Sequence, residues 1–317
     1  MRLLVTGGAG FIGSHVVRLA NEAGHSGVVV DDLSTGQSAR CPWPIHRFNL
    51  ADSRQTESIG QLLRDEQVDA VIHLAARKQV GESVSKPEVY YRDNIGGLAN
   101  LLVAMRANGV HRLVFSSSAA CYGSPDVERV SESTVAQPIN PYGETKLVGE
   151  WLIRASESWG LRQVSLRYFN VAGAGWSELA DTAELNLIPI LIGQLRRGEK
   201  PKVFGTDYKT RDGSCERDYV HVLDLARSHL LALDYLDGPE PRERIFNVGT
   251  GLGATVLEVI AELASVAGVS IDPELAGRRE GDPAKLVADA TLIEQELGFK
   301  AEFGLQEIIN SAWNSMR

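Results

Sequence analysis

The stretch Thr6-Gly7-Gly8-Ala9-Gly10-Phe11-Ile12-Gly13 joins a short apolar run to an amphipathic segment at residues 11–23, a pattern that predicts a strand, a glycine turn and a helix. The spacing of the glycines has a physical reason. Gly7 makes the turn, Gly10 admits a pyrophosphate against bare backbone, and Gly13 lets helix and sheet approach closely. Because a helix N-terminus attracts negative charge, the stretch predicts a dinucleotide site beside the first strand.

Apolar runs alternate with helical stretches through the first half of the chain. The later runs lie at residues 28–30, 70–74, 113–115 and 164–166, and helical periodicity lies at 55–65, 89–108 and 141–159. This alternation predicts an α/β fold with a doubly wound parallel sheet, the Rossmann arrangement. After Tyr168 the alternation fades, and helical periodicity returns at 256–267 and 305–313. We therefore expect a smaller C-terminal α/β lobe.

The second predicted strand ends in two carboxylates, Asp31 and Asp32. An acidic group at this position can accept hydrogen bonds from the ribose of an adenosine. Two carboxylates would also repel a phosphate on that ribose. The pair therefore favours NAD over NADP as the cofactor.

Tyr142 and Lys146 lie four residues apart at the start of a predicted helix, which places them on one face. Ser116, Ser117 and Ser118 directly follow an apolar strand, at the edge of a parallel sheet where ligands bind. A phenol has a pKa of ~10. For Tyr142 to act as a base near pH 7, its surroundings must lower this pKa by about 3 units, which corresponds to roughly 4 kcal/mol. One positive charge about 6 Å away stabilises the phenolate by roughly 3 kcal/mol at an effective dielectric of ~20. Lys146 alone falls short, and we expect an oxidised nicotinamide ring to supply the rest.

The composition excludes several classes of protein. The chain of 317 residues is 44% hydrophobic and 23% charged, with a net charge of −9, which disfavours general electrostatic binding to nucleic acid or an anionic membrane. Its cysteines are far apart and odd in number, which argues against a metal cluster or a disulfide framework: Cys41, Cys121 and Cys215. No apolar run approaches the ~18 residues of a membrane span, and no signal-peptide pattern is present. We expect a cytoplasmic protein without a metal.

The chain resembles the extended short-chain dehydrogenase/reductases, and within them the UDP-glucose 4-epimerase family, over essentially its full length. The glycine turn, Ser118 and the Tyr-x-x-x-Lys pair match the family's motifs. More specific matches are His73-Leu-Ala-Ala-Arg-Lys-Gln-Val-Gly-Glu-Ser83, Arg167-Tyr-Phe-Asn170, Asp212-Gly-Ser-Cys-Glu-Arg-Asp-Tyr-Val-His221 and Arg278-Arg-Glu-Gly-Asp282. The resemblance implies an NAD-dependent enzyme that interconverts UDP-glucose and UDP-galactose by reversible oxidation at sugar carbon 4, through a 4-keto intermediate.

The resemblance also implies the site residues. Ser118, Tyr142 and Lys146 are then catalytic. The implied cofactor-binding residues are Gly7, Gly10, Phe11, Ile12, Gly13, Asp31, Asp32, Asn49, Leu50, Leu74, Ala75, Ala76, Lys78, Asn94, Ser116, Tyr142, Lys146 and Tyr168. The implied substrate-binding residues are Lys78, Ser118, Tyr142, Asn170, Asn186, Arg217, Arg279, Asp282 and Leu286. Of these, Arg217 and Arg279 are implied to bind phosphate and Asp282 to bind the ribose. Asn170 and Asn186 are implied to contact the sugar diphosphate.

The pattern of strands and helices divides the chain, and the resemblance suggests its partner. We expect residues 1–170 to form the NAD-binding Rossmann domain, with 217–248 returning to it as a strand and a helix. Residues 171–216 and 249–317 would form the lobe that binds the nucleotide sugar. A homodimer acting in galactose metabolism is the implied assembly.

Some positions depart from the family, and some alternatives stay open. Asn49 stands where an aspartate usually meets the adenine amino group, and its amide oxygen can still accept a hydrogen bond. Ala119 and Ala120 stand where nucleotide-sugar 4,6-dehydratases carry a carboxylate pair, which disfavours that activity. Leu286 falls at the family's sugar-size gate, where tyrosine accompanies plain hexoses and small residues accompany N-acetylated ones. UDP-glucuronate and UDP-N-acetylhexosamine 4-epimerases therefore remain alternatives, as does, more remotely, a catalytically dead NAD sensor.

Overall fold

The computed structural model describes residues 1–279 and 281–316. Its strands, in chain order, are β1 (Arg2–Thr6), β2 (Ser26–Val30), β3 (Ile45–His46), β4 (Ala70–His73), β5 (Arg112–Ser118), β6 (Arg162–Tyr168), β7 (Asn170–Ala172), β8 (Lys202–Phe204), β9 (Glu216–His221), β10 (Ile245–Val248), β11 (Gly253–Thr255), β12 (Glu274–Ala276) and β13 (Lys285–Leu286).

The helices alternate with these strands. They are α1 (Phe11–Glu22), α2 (Thr56–Asp65), α3 (Val80–Ser85), α4 (Pro87–Tyr90), α5 (Gly97–Ala107), α6 (Pro141–Ser156), α7 (Leu187–Arg196), α8 (Val222–Asp237), α9 (Val256–Ala267), α10 (Thr291–Leu297) and α11 (Leu305–Ser315). A π-helical segment, Tyr91–Gly96, joins α4 to α5. None of the helices formed by the described residues is both long and apolar enough to cross a bilayer.

The main sheet has seven strands in the order β10-β6-β5-β4-β1-β2-β3, and every neighbouring pair is parallel. The chain runs outward from β1 to β3, then returns beside β1 and runs outward in the other direction. Ligands of such sheets bind where the strand order reverses, at the carboxyl ends of the strands. The predicted doubly wound parallel sheet is confirmed.

Alternation of apolar side chains along the strands divides the main core between two faces. Leu3 and Val5 lie in a buried cluster with residues of α1 and α8. Leu4, between them, faces a second cluster formed with α2 and α5. Strands buried on both faces read as continuous apolar runs, which is why β1 and β2 were visible in the sequence.

A smaller sheet forms the second layer of the fold. β9 pairs with β11 on one edge and β13 on the other, and its end also pairs with β7. A third buried cluster lies beneath it and includes residues of α7, α9 and α11. β8 and β12 pair separately.

The segment 217–248 is divided between the two sheets. β10 pairs with β6, and α8 packs against α1, so both belong to the main sheet. β9 lies in the smaller sheet, so the strand expected at Arg217 does not return to the main sheet. The edge beside β6 is occupied by β10, in the register Ile245 to Ser165 through Val248 to Tyr168.

Candidate active site

The glycine turn lies at the carboxyl end of β1, where the strand order reverses. Gly7 has a φ of +71°, and an added Cβ there would lie 2.7 Å from the backbone nitrogen of Ala75. An added Cβ at Gly13 would lie 2.1 Å from the Gly7 carbonyl oxygen. At Gly10 the described residues place only that same oxygen near such an atom, at 3.3 Å. Gly7 and Gly13 therefore permit close packing, whereas Gly10 leaves one face of the turn open.

Helix α1 begins at this open face without a side-chain cap. Its N-cap residue is Gly10, and its first turn carries no acidic side chain. The first N–H groups of a helix have no partner within the helix, and together with the helix dipole they attract anions. The turn and helix together fit the pyrophosphate of a dinucleotide.

Asp31 and Asp32 follow β2 but have different partners. Asp31 is buried, and its carboxylate accepts hydrogen bonds from the backbone N–H groups of Ala9 at 3.0 Å and Leu33 at 2.9 Å. Burial raises the pKa of Asp31. Asp32 accepts from the backbone and hydroxyl of Ser34, at 2.8 and 2.6 Å. Asp31 thus also braces the glycine turn, a role that the sequence pattern did not distinguish.

The loop after β4 carries Leu74, Ala75, Ala76 and Lys78, and Asn94 fixes it in place. Asn94 accepts from the backbone N–H of Arg77 at 2.8 Å and donates to the Arg77 carbonyl at 3.1 Å. It also donates to the Thr145 hydroxyl on α6 at 3.0 Å. Lys78 is exposed on this loop.

Asn49 and Leu50 lie in a turn beyond β3. The Asn49 amide oxygen accepts from the backbone N–H of Ala51 at 3.0 Å. Leu50 is buried in the core cluster beside α5. The structure therefore uses the oxygen of Asn49 within its own turn.

Helix α6 presents the predicted catalytic pair to the carboxyl end of β5. Asn140 caps the helix by accepting from the backbone N–H of Gly143 at 2.9 Å, and Pro141 occupies the first position, where its missing N–H has no cost. Tyr142 and Lys146 are both buried. The Lys146 ammonium donates to the carbonyl oxygen of Ser116 at 2.8 Å and lies 6.0 Å from the centroid of the Tyr142 ring.

The electrostatics of the pair differ from the simple expectation for a lysine beside a phenol. Burial raises the pKa of Tyr142 to about 12, partly opposed by a hydrogen bond with Ser118. Burial also lowers the pKa of Lys146 to about 8. The protein alone therefore does not make a base of Tyr142, in keeping with the need for a further positive charge.

Tyr168, at the end of β6, lies on the same edge. A hydrogen bond with the Ser116 side chain acts against the effect of burial, which raises the pKa of Tyr168 well above its usual value. The Ser116 hydroxyl is also 2.8 Å from Nε2 of His229, on α8. One residue further, the chain leaves the main sheet and Asn170 begins β7 of the smaller sheet.

The smaller sheet brings several of the expected substrate residues onto adjacent strands. Leu286 on β13 pairs in register with Arg217 on β9. Arg217 donates to the Asp282 carboxylate at 2.9 Å. Arg217, which is expected to bind phosphate, and Asp282, which is expected to bind ribose, therefore form an ion pair with each other.

Leu286 lies close to the catalytic edge. It is 8% exposed and belongs to a buried cluster that includes Ala119, Tyr122 and Phe169. Ala119 directly follows Ser118, and Phe169 directly follows Tyr168. The cluster therefore joins the ends of β5 and β6 to β13.

Two expected substrate residues lie near other groups of the lobe. The Arg279 guanidinium lies over the Phe204 ring, 3.7 Å from its centroid. Glu280, within the matched motif, lies outside the described residues. Asn186 is the N-cap residue of α7, and its amide is 3.4 Å from the Asp181 carboxylate. Phe204 was missed by the sequence analysis, since a single aromatic residue in a short strand has no distinguishing pattern.

The sequence analysis also did not identify Glu150, which forms a buried ion pair with Arg167, the first residue of a matched stretch. Glu150 lies four residues after Lys146, so an extension of the same helical face could have identified it. Within residues 1–279 and 281–316, no three His, Cys, Asp or Glu side chains are grouped to hold a metal ion.

The model of the NAD dependent epimerase/dehydratase family matches residues 3–249. The chain belongs to this family. Among similar members, the UDP-glucose 4-epimerase of Streptococcus mutans is 44% identical over 99% of this chain and 96% of its own length. The expected family resemblance is confirmed.

Solved epimerase structures share the fold of this family member. The Brucella ovis UDP-glucose 4-epimerase, in complex with NAD, superposes with a TM-score of 0.94 at 39% identity, over 99% of this chain and 97% of its own. The Stenotrophomonas maltophila enzyme, with bound NAD and formylated UDP-arabinopyranose, gives 0.93 at 38% identity over the same shares. The whole chain, including the lobe beyond residue 249, is therefore matched.

Proposed function

We propose that the protein is an NAD-dependent UDP-hexose 4-epimerase that interconverts UDP-glucose and UDP-galactose. One observation carries the proposal: Tyr142, Ser118 and Lys146 meet at a sheet edge that contacts Leu286, whose strand β13 pairs with Arg217 on β9. The similarity to UDP-glucose 4-epimerases over nearly the full chain supports this reaction. Ala119 is buried and Ala120 has no carboxylate, so the acid–base pair of a dehydratase is missing.

The residues of this chain perform the proton chemistry. Tyr142 takes the proton of the sugar's 4-hydroxyl, and Ser118 hydrogen bonds between them. The chemistry that NAD supplies when bound is the reversible acceptance of a hydride from carbon 4. The 4-keto sugar turns over between Tyr142 and the lobe; carbon 4 then takes the hydride back on its opposite face while Tyr142 returns its proton to the oxygen, which gives the epimer. The protonated Lys146 stabilises the phenolate form of Tyr142.

The glycine turn, the N-terminus of α1 and Asp31 would hold NAD, and Asp32 adds a second carboxylate beside them. The carboxylates favour ribose hydroxyls and repel a ribose phosphate, so NAD rather than NADP is the cofactor. Mass analysis of the denatured protein should release NAD or NADH. Release of NADPH would contradict this assignment.

A direct assay tests the activity. Purified protein should convert UDP-galactose to UDP-glucose without added cofactor. Assays with UDP-glucuronate and with the N-acetylated UDP-hexoses test the two alternative substrate classes. Leu286 is shorter than tyrosine and cannot donate a hydrogen bond, so we expect preference for plain hexoses with weak turnover of N-acetylated ones. Faster turnover of UDP-glucuronate would reassign the substrate.

We propose a division of labour along the chain. Residues 1–170 together with 222–248 bind NAD, and residues 171–221 and 249–317 bind the nucleotide sugar. The placement of α8 and β10 on the main sheet supports the first unit. β9 lies at the boundary and contributes Arg217 to the second.

We further propose a homodimer that acts in the cytoplasm in galactose metabolism. Val103 on α5 and Trp151 on α6 are 59% and 60% exposed, and the two helices pack against each other. A continuous apolar patch across these helices would suit a second copy of the chain. A reducing compartment suits the free thiols Cys41, Cys121 and Cys215. Light scattering after size exclusion should give twice the chain mass, and Trp151→Glu should give a monomer.

A further inference from the structure

A buried ion pair lies behind the catalytic side chains. The Arg167 guanidinium on β6 donates to both oxygens of the Glu150 carboxylate on α6, at 2.9 and 2.5 Å. The side chains are only 5% and 4% exposed. The hydroxyl of Ser117 on β5 donates to the same carboxylate at 2.5 Å. Helix α6 and two strands of the main sheet, β5 and β6, therefore meet at one carboxylate.

The surroundings extend this contact toward the lobe. The Arg167 guanidinium lies over the Tyr122 ring, 4.7 Å from its centroid. The Tyr122 hydroxyl donates to the Asn247 side chain on β10 at 2.7 Å. Tyr122 in turn belongs to the buried cluster around Leu286.

Each partner of the ion pair is a near neighbour in sequence of a proposed active-site residue. Glu150 follows Lys146 by one helical turn, as Lys146 follows Tyr142. Arg167 directly precedes Tyr168, and Ser117 lies between Ser116 and Ser118. Movement at the ion pair would therefore displace the helix face or the strand ends that carry the reaction.

Stability alone is a weak reason for such a pair. Removing two charges from water costs about as much as their attraction returns, and well-packed apolar replacements are often equally stable. A bidentate arginine–carboxylate contact, by contrast, fixes orientation. The geometry thus favours a role in placing the catalytic groups.

We propose that Glu150 and Arg167 are positioning residues: their ion pair fixes the catalytic face of α6, with Tyr142 and Lys146, against β5 and β6. This inference deepens the proposed epimerase function and rests on it.

The charged and titratable groups around Lys146 come from every element packed against it. They are His73 on β4, Cys121 after β5, Tyr142 and Glu150 on α6, and Arg167 and Tyr168 on β6. Burial holds His73 neutral, with its pKa lowered to about 3, and burial raises the pKa of Cys121 to about 12. Burial lowers the pKa of Lys146, whereas Cys121 and Glu150 act in the opposite direction, and Glu150 is the carboxylate among these groups.

The test is the pH dependence of kcat for Glu150→Gln, which removes the charge and keeps the shape. Lys146 then loses a proton more easily, so the alkaline limb moves to lower pH by about one unit. On the acid side of the profile Lys146 is protonated in both proteins, so the acid limb should not move to higher pH. We expect kcat at pH 8 to fall at least about tenfold, with KM little changed.

Arg167→Gln separates geometry from charge. It should also lower kcat, since the orienting contact is lost, but it retains the carboxylate and should not move the alkaline limb to lower pH. Glu157→Gln is the matched control, because Glu157 follows the same helix and pairs with Arg244 at 2.7 Å, away from Lys146. We expect the control to keep the kcat and both limbs of the wild-type protein.

The outcomes are distinguishable. A fall in kcat by one factor at every pH in Glu150→Gln, with unmoved limbs, overturns the inference. If that variant does not fold, Ser117→Ala keeps both charges and removes one hydrogen bond, which should lower kcat about fivefold; an unchanged kcat overturns the inference. Failure of the wild-type protein to epimerise UDP-galactose contradicts the proposed function itself.

Discussion

The catalytic edge of the main sheet and the nucleotide face of the smaller sheet hold their charges in different ways. At the catalytic edge, Lys146 is 3% exposed and bonds to a strand carbonyl. On the smaller sheet, the side chains of Arg217 and Asp282 are 12% and 34% exposed and pair with each other. The first region is arranged in advance, whereas in the second we expect a bound nucleotide sugar to replace the contact between Arg217 and Asp282. Changes at the first should therefore act on kcat and changes at the second on KM.

Tyr142→Phe should give the largest effect of any single change. It removes the acid–base oxygen and leaves the ring, so kcat should fall about 10³- to 10⁴-fold while NAD and UDP still bind. Stopped assays of UDP-galactose turnover, with calorimetry of UDP binding, measure both properties. Activity above a few per cent of wild type would remove Tyr142 from the reaction.

Ser118→Ala should have a smaller effect at the same edge. It removes an orienting and relaying hydrogen bond but keeps the base, so kcat should fall roughly 10²- to 10³-fold. Titration of the phenol should place the pKa of Tyr142 higher than in the wild-type protein, because the Ser118 hydrogen bond lowers it. An unchanged rate would give Ser118 a packing role.

Arg217→Gln should separate the two regions. Loss of a charged hydrogen bond to phosphate should raise KM for UDP-galactose about 10- to 100-fold, with kcat and retained NAD little changed. Arg278→Gln is the matched control, because Arg278 pairs with the exposed Asp207 at 2.8 Å. An equal rise of KM in both variants would mean that general positive charge, not Arg217, holds the substrate.

The two regions also differ in how far the sequence predicts them. The glycine turn and the Tyr142–Lys146 spacing are local, because a turn or one helical face fixes them within a few residues. The pairing of Arg217 with Asp282 joins positions 65 residues apart, and no local pattern encodes it. The placement of β9 has the same cause, since which sheet a strand joins depends on competition between distant edges.

The residues alone also do not predict the pKa values of the catalytic pair. The sequence shows a lysine on the same face as Tyr142, and the lysine's charge was expected to lower the phenol's pKa. Burial of both side chains reverses the balance in the protein by itself, and burial depends on the whole fold. Asp31 and Asp32, which look equivalent in sequence, likewise acquire different partners through the shape of the glycine turn.

The smallest expected effect lies at Leu286, where the two regions meet. Its cluster includes Ala119 and Phe169 on the catalytic side, and its strand partner is Arg217. A side chain at this point can limit the space beside the sugar without touching the acid–base groups. The consequence should be a change in substrate preference rather than in the chemistry.

Leu286→Tyr should lower activity on the N-acetylated UDP-hexoses relative to UDP-galactose by about fivefold, because the larger ring takes space that an acetamido group needs. The ratio of kcat/KM for the two classes measures the effect, and changes common to both substrates cancel in that ratio. Leu286→Met, which keeps the volume, should leave the ratio unchanged. A ratio that does not move in Leu286→Tyr would mean that the residue packs between the regions and is not the gate, whatever the loss of total activity.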